Sequence, residues 1–182
     1  MSEIYNQMEK IDNLDRQILG IVVRNARIPS KDVAAECGVS RAAIHQRLQR
    51  MIDTNIIISA ALSPNGNAAK AFMKAVLPPY EPVVCDYIVD ELHRKFQEKF
   101  PRKTTELEAF LYNAMQAIKT VPTPDNEVDD EGKIRDVKDR PILRAARKAK
   151  VSLLLTGDLD FLESDITDPE IISAADFINK NR

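Results

Sequence analysis

The sequence predicts an α/β protein in which a parallel-sheet, three-layer domain follows a small all-α module. Two observations lead to this fold class. From residue 52 onward, short apolar runs alternate with amphipathic helical patterns, which is typical of parallel strands joined by helices. In the first 51 residues, apolar side chains recur at spacings of three and four, which indicates helices alone. We therefore expect two domains, at residues 1–51 and 52–182.

The composition is that of an ordinary globular protein. A chain of 182 residues has room for one domain of typical size and a smaller one. The 44% apolar and 30% charged content gives no sign of disorder, and no apolar stretch is long enough to cross a membrane. Two widely spaced cysteines predict neither a disulfide framework nor a zinc site. The first ten residues carry acids and no apolar run, so we expect a cytoplasmic protein without a secretory signal.

Three helices are predicted in the first 51 residues. The first has its apolar residues on one face, namely Ile11, Leu14, Ile18, Leu19 and Val22. Pro29 cannot lie inside a helix, and Ser30 is a good cap for the second helix. Gly38 then supplies a tight turn, and Ser40 caps a third helix at residues 41–51. This order is typical of a helix-turn-helix, whose last helix enters a DNA groove.

Basic and polar residues on the third helix are candidates for contacts with nucleic acid. Arg41, His45 and Gln46 could reach base edges, whereas Arg47 and Arg50 would meet phosphates. One such module binds weakly, so we expect a homo-oligomer. The alternative is a three-helix packing module whose arginines form only a solvated face.

The residues from Ile11 to Met51 resemble the helix-turn-helix of the Lrp/AsnC transcription regulators. The resemblance rests on the Asp-Arg pair in the first helix, the break around RIPS and the turn AAECGVS. It implies DNA as a partner. In that family a short apolar hairpin and a ligand-binding, oligomerising domain follow the recognition helix, and neither is visible in this sequence.

The second domain is predicted to contain alternating strands and helices. Strands are expected at IIIS (56–59), PVVC (82–85), VPTP (121–124), VSLLLT (151–156) and EII (170–172). Helices are expected at residues 67–77, 87–100, 104–120 and 140–150, with short ones after residues 157 and 173. Residues 125–139, DNEVDDEGKIRDVKD, form a polar segment that we call the acidic loop.

Four acids lie where strands end or helices begin. Asp53 comes next to the first apolar run, Glu91 lies inside a helix, Asp139 begins a helix, and Asp158 follows VSLLLT. Each has an ordinary explanation as a cap, a turn residue or part of a solvated face. In an open parallel sheet, however, the carboxyl ends of strands face one crevice, so these acids can converge. Crowded carboxylates favour hard cations such as Mg²⁺ or Mn²⁺, which suit attack of water on a phosphodiester.

The stretches IDTNIIISAALSP, VVCDYIVDEL, DVKDRPILRAARKAKVSLLLTGDLDFL and IISAADFI resemble a PIN domain, in particular the VapC-type bacterial toxin components. The resemblance implies a metal-dependent endoribonuclease of toxin-antitoxin type, with an RNA substrate and an antitoxin protein as partner. It implies that Mg²⁺ or Mn²⁺ is held by Asp53, Glu91, Asp139 and Asp158. It also implies supporting roles for Asn55, Thr156, Asp136 and Asp160.

A different class of function stays open beside the nuclease. The protein could be a DNA-binding regulator whose second domain serves dimerisation or is inactive. Acids present at all four matching positions argue against loss of activity.

Four basic residues on the helix predicted at 140–150 also have two interpretations. Arg140, Arg144, Arg147 and Lys148 could follow an RNA backbone, or they could form a solvated helix face.

Overall fold

The computed structural model describes residues 13–25 and 28–180. The chain divides into two compact units, Met1–Leu48 and Gln49–Arg182. This division lies three residues before the domain boundary expected from the sequence. The helices within residues 13–25 and 28–180 are each too short or too polar to span a lipid bilayer.

The first unit is helical, with α1 at Asn13–Arg24, α2 at Ser30–Cys37 and α3 at Arg41–Leu48. Its core consists of side chains from all three helices: Ile18, Ile21, Val22, Val33, Ala34, Ile44 and Leu48. Gly38 has φ 66°, the left-handed conformation that glycine adopts without strain, and it ends α2. Ser40 accepts a hydrogen bond from the Ala43 N–H at 3.2 Å, as expected for a cap. Ile11 and the Leu19 side chain lie outside the described residues.

Ser30 is not the cap of α2 that the sequence predicted. It is the first residue of the helix, and the preceding Pro29 occupies the capping position in an extended conformation. The Pro29 carbonyl accepts the first hydrogen bonds of the helix, from Asp32 and Val33 N–H at 2.9 and 3.2 Å. The helix therefore begins one residue earlier than the side-chain pattern indicated.

The largest correction concerns residues 49–59. The third helix ends at Leu48, and Gln49–Ile52 form the strand β1, whereas the run predicted as a strand lies in the helix α4, Thr54–Leu62. The predicted helix at 41–51 was therefore too long, and the predicted strand at 56–59 was wrong. Gln49–Ile52 pair with parallel strands on both sides, so hydrogen bonds with distant residues outweigh the local helical pattern.

Asp53 is the residue at which the chain changes from strand to helix. Its backbone is extended and its side chain accepts the Thr54 N–H, which makes it the N-cap of α4. The isoleucines that follow are buried as a helix, with Ile57 fully enclosed. Their burial on nearly all sides removes the helical period, so the run had the appearance of a buried strand.

The second unit is a five-stranded parallel sheet flanked by helices, which confirms the predicted fold class. Its remaining elements are α5 at Asn67–Val76, β2 at Glu81–Cys85, α6 at Asp86–Lys99, α7 at Thr104–Ala114, β3 at Lys119–Val121, a 3₁₀ turn at Glu131–Lys133, α8 at Arg140–Ala149, β4 at Leu153–Leu155, α9 at Leu159–Leu162, β5 at Glu170–Ile172 and α10 at Ala174–Asn179. The helix predicted at 104–120 is thus shorter, and the strand predicted at 121–124 lies slightly earlier in the chain.

The strand order β3-β2-β1-β4-β5 creates a crevice beside the central strand. From β1 the chain builds the sheet outward through β2 and β3, and then crosses to β4 on the other side. Ligands bind at such a point of reversal, at the carboxyl ends of the strands. Ile52 at the end of β1 lies opposite Leu155 at the end of β4, so the residues that follow both strands are neighbours.

Candidate functional site

Asp53 and Thr156 are buried polar residues at the carboxyl ends of β1 and β4. Asp53 is 4% exposed and Thr156 is fully buried. The Thr156 hydroxyl donates to Oδ2 of Asp53 at 2.6 Å, and the Thr54 N–H donates to Oδ1 at 2.6 Å. Both oxygens of the carboxylate are therefore held, which fixes its orientation.

Three further acids lie close together at the same end of the sheet. Carboxylate oxygens of Asp139, Asp158 and Asp160 lie within 4.8 Å of one another, near enough to share a metal ion. The Asp160 N–H donates to Oδ1 of Asp158 at 2.8 Å, so the turn into α9 presents both side chains. Asp139 reaches the group from the capping position of α8. Carboxylates from two separate segments of the chain thus meet.

Glu91 is linked to Asp53 through Thr54. The Thr54 hydroxyl donates to Oε2 of Glu91 at 2.5 Å, and the adjacent Thr54 N–H is bound by Asp53. The Glu91 side chain is only 11% exposed and lies 3.0 Å from Nζ of Lys95, one helical turn later. Lys95 therefore neutralises part of the charge of this acid.

The electrostatics show that the carboxylates lie within reach of each other's charge. Burial, together with the charge of Glu91, raises the pKa of Asp53 to about 6, although the hydrogen bonds from Thr156 and Thr54 and the charge of Lys95 oppose this. Burial, followed by the charges of Asp158, Asp53, Asp136 and Glu91, raises the pKa of Asp139 to about 7. The site thus holds an excess of negative charge that a divalent cation would neutralise.

Other residues predicted around the site support its turns. The Asn55 side chain accepts the Gly157 N–H at 2.9 Å and so joins the start of α4 to the turn after β4. The Asp158 N–H donates to the Thr156 hydroxyl at 3.0 Å. Asp136 accepts the Lys138 N–H at 2.9 Å.

Asp160, expected in a supporting role, lies in the same close group as Asp139 and Asp158. It is also paired with Arg135 at 2.6 Å.

Three residues of the site were not identified from the sequence: Thr54, Lys95 and Arg135. Lys95 follows Glu91 by four positions, and this ion-pair spacing was available as a signal. Thr54 contacts Glu91, which lies 37 positions away, and Arg135 contacts Asp160, which lies 25 positions away. No local pattern indicates contacts of that separation.

Two of the five residues expected to contact nucleic acid have other roles in the structure. Arg50 lies in β1, donates to the Ser152 hydroxyl at 2.5 Å and lies 4.8 Å over the Tyr80 ring, because α3 ends before it. Its assignment to the recognition helix was wrong. Arg47 is on α3 but is half-buried and paired with Asp15 at 2.9 Å within the helical unit.

The remaining three residues of this set lie on α3. Arg41 and Gln46 are exposed. Nε of Arg41 donates to Nε2 of His45 at 2.9 Å, and the Ser30 hydroxyl lies 3.3 Å from the same nitrogen. His45 therefore connects the start of α2 with the first turn of α3.

Comparison with known protein families decides the classification. The PIN domain model matches residues 49–160, more than half of the chain. The chain belongs to the PIN domain family. The AsnC-type helix-turn-helix domain matches residues 11–52. Both resemblances stated from the sequence are confirmed. The two matches overlap at residues 49–52, the strand β1, which belongs to the PIN domain in the structure.

Curated relatives match chiefly as transcription regulators. An uncharacterized HTH-type transcriptional regulator of Haemophilus influenzae is 30% identical over 53% of this chain and 52% of its own length. Regulatory protein AsnC of the same organism is 25% identical over 72% of this chain and 99% of its own length. Regulatory protein AsnC of Escherichia coli is 42% identical over 29% of this chain and 34% of its own length. The chain thus spans about half of the first relative and a third of the last.

The same fold is found in a solved structure, the crystal structure of VapBC2 from Rickettsia felis bound to a DNA fragment from the VapBC2 promoter. The two chains superpose with a TM-score of 0.54 and 12% identity, over 69% of this chain and 98% of the other. At that identity the similarity shows the fold alone. It agrees with the PIN domain assigned by the family match.

Proposed function

We propose that the PIN domain is a metal-dependent endoribonuclease of toxin-antitoxin type and that the helix-turn-helix binds DNA. The observation that carries the nuclease proposal is the group of carboxylates at the carboxyl ends of β1 and β4. Burial and neighbouring charges raise the pKa values of Asp53 and Asp139. A site that keeps acids together at this electrostatic cost is suited to a cation.

The donor set fits Mg²⁺ or Mn²⁺. All candidate ligand atoms are carboxylate oxygens, which hard divalent ions prefer, and nitrogen or sulfur ligands are absent from the group of three acids. Asp53, Glu91, Asp139 and Asp158 would hold the metal, and Asp160 is close enough to join them. A bound ion would supply an activated water and stabilise charge on the leaving oxygen of a phosphodiester.

The surrounding side chains orient these ligands. Thr156 and the Thr54 N–H hold the two oxygens of Asp53, and Asn55 holds the turn at Gly157. Lys95 places a positive charge 3.0 Å from the Glu91 carboxylate.

The proposal is tested by cleavage of RNA in Mn²⁺ and in EDTA. Asp53→Asn and Asp158→Asn should each abolish cleavage, because each removes a charged ligand from the group. Asp165→Asn is the matched control, since Asp165 is an exposed acid on the loop that follows α9. Undiminished cleavage by Asp53→Asn, or cleavage that persists in EDTA, would contradict the assignment.

A second candidate is a DNA-binding regulator whose PIN domain serves dimerisation. It is favoured by the AsnC-type module, on which Arg41 and Gln46 are exposed, and by the names of the curated relatives. The two activities can also coexist, with the module bringing the nuclease to an operator.

Partners can be tested in the same way. An electrophoretic mobility shift assay with DNA from upstream of the gene tests DNA binding. Light scattering measures the molar mass and so tests for a homo-oligomer, which we expect because a single helix-turn-helix binds DNA weakly. An antitoxin protein, proposed as a further partner, would suppress RNA cleavage when added.

A further inference from the structure

The acidic loop has little regular structure, although it brings two acids to the site. Within residues 125–139 the structure contains only the 3₁₀ turn at Glu131–Lys133. Asp139 lies at its end, and its carboxylate is within 4.8 Å of those of Asp158 and Asp160. Acids held this close repel one another when they are ionised, so their arrangement depends on contacts that fix the segments carrying them.

Glu131 and Arg144 form the main contact between the loop and α8. Nε and Nη2 of Arg144 donate to the two carboxylate oxygens of Glu131 at 2.8 and 2.6 Å. The Glu131 side chain is 6% exposed and that of Arg144 is 16% exposed. Such a two-point contact fixes orientation as well as distance. The pair is neutral as a whole, so both charges can be largely buried together.

Both partners also hold the backbone of the loop. Glu131 accepts the Val128 N–H at 3.0 Å, and Nη1 of Arg144 donates to the Asp125 carbonyl at 3.0 Å. The pair thus closes the loop on itself as well as on α8. Hydrogen bonding to Arg144 lowers the pKa of Glu131 to about 2, so Glu131 is ionised near neutral pH.

Two further arginines on α8 contact the same region. Arg140 donates to the Ile134 carbonyl at 3.2 Å, and Arg147 donates to the carbonyls of Asp129 and Asp168. Spacings of four and three residues place Arg140, Arg144 and Arg147 on one side of the helix. The side chains of Arg144 and Arg147 are only 16% and 22% exposed. Their position therefore matches neither a helix face that follows an RNA backbone nor a solvated face.

We infer that Glu131 and Arg144 are positioning residues that hold the acidic loop so that Asp139 stays beside Asp158. The role of these acids as metal ligands rests on the proposed function. The contacts that hold the loop are independent of the proposed function. Neither Glu131 nor Arg144 belongs to the group of acids, so their effect passes through the backbone of the loop.

Glu131→Gln and Glu127→Gln form a matched pair of variants. Both remove one negative charge from the same loop beside the same arginine. Glu127, however, is 83% exposed and 3.9 Å from Arg144. Arg144→Lys is a second test variant, which keeps the charge but cannot form the two-point contact.

Hydrogen exchange of the full-length protein measures the loop directly. The Lys133 and Ile134 amides bond to carbonyls inside the loop. They should exchange about tenfold faster or more in Glu131→Gln, because the loss of a hydrogen bond to a charged group shifts the opening equilibrium of the loop by about that factor or more. The amides of β1 and β4 report whether the sheet is intact and should not change. Glu127→Gln should stay within about twofold of the wild type.

Calorimetric titration with Mn²⁺ measures the consequence for the site. Affinity should fall about tenfold in Glu131→Gln and in Arg144→Lys, and should be retained in Glu127→Gln. Unchanged exchange of the loop amides would overturn the inference, and so would a loosened loop that binds Mn²⁺ with wild-type affinity. If the wild type binds no Mn²⁺, the proposed function and the positioning role both fail, while the exchange data still decide whether the pair holds the loop.

Discussion

Replacement of Asp53 by asparagine should stabilise the metal-free PIN domain at pH 8. Asp53 is 4% exposed, and its pKa is raised to about 6 from an ordinary value near 4. Its ionised form therefore destabilises the fold by about 3 kcal/mol. Asparagine has no charge but keeps one of the two acceptors used by Thr54 and Thr156, which costs about 1 kcal/mol. The net gain is about 2 kcal/mol.

The sign of this effect depends on pH. Because the pKa of Asp53 is higher in the folded state, the folded protein binds more protons between about pH 4 and 6, and wild-type stability falls as the pH rises through that range. At pH 4 most of the penalty is absent, so Asp53→Asn should be no more stable than the wild type. At pH 8 the whole penalty applies and the variant should be the more stable protein.

Urea unfolding in EDTA, followed by tyrosine fluorescence, measures the difference. The chain has no tryptophan, and three of its four tyrosines lie in residues 49–182, so the signal reports mainly on the PIN domain. With Mn²⁺ at about 100 times its dissociation constant, the wild type should gain about 2.7 kcal/mol, and the order of stability should reverse. A variant that is less stable than the wild type at pH 8 in EDTA would refute the reasoning. A stability difference equal at both pH values would also refute it.

Three further predictions concern the same site and the helical module. Mn²⁺ affinity should fall as the pH drops from 8 to 5, because Asp139 and Asp53, with pKa values of about 7 and 6, become protonated; calorimetry should show proton release on binding near neutral pH. Thr156→Val should lower the free energy of unfolding by about 1 to 2 kcal/mol, and Thr156→Ser, which keeps the hydroxyl, should restore most of it. Arg41→Ala should weaken DNA binding in a mobility shift assay, whereas Arg50→Ala should chiefly destabilise the PIN domain in urea, and the reverse pattern would contradict their placement.

Several elements could be predicted because their signals are local. Pro78 and Pro79 lie two and three residues after the end of α5, Pro141 lies in the first turn of α8, and the apolar run Leu153–Leu155 lies between polar residues. The boundary at β1 could not be predicted in this way. Its four residues continue the helical period of α3, and their pairing partners lie about 30 and 100 positions away.

The candidate acids of the site were also chosen from local signals. An acid that follows a strand or begins a helix is visible in the sequence, and the topology of a parallel sheet then places such acids together. Asp53, Asp139 and Asp158 were chosen as candidates by this reasoning. The link through Thr54 and the closeness of Asp160 to Asp139 depend on side-chain directions across separate segments, so the sequence did not indicate them. The pair of Glu91 and Lys95 has a local spacing of four residues, but that signal was not used.

The α/β class, the helix-turn-helix and the candidate acids follow from the sequence, because each depends on residue type and spacing along the chain. The folded chain alone reveals that residues 49–52 form the central strand and that Arg144 contacts Glu131 of the acidic loop. The extent to which the pKa values of Asp53 and Asp139 are raised also depends on the fold. Strand pairing, burial and the charges around an acid depend on residues brought together from distant positions, and local periodicity carries no record of them.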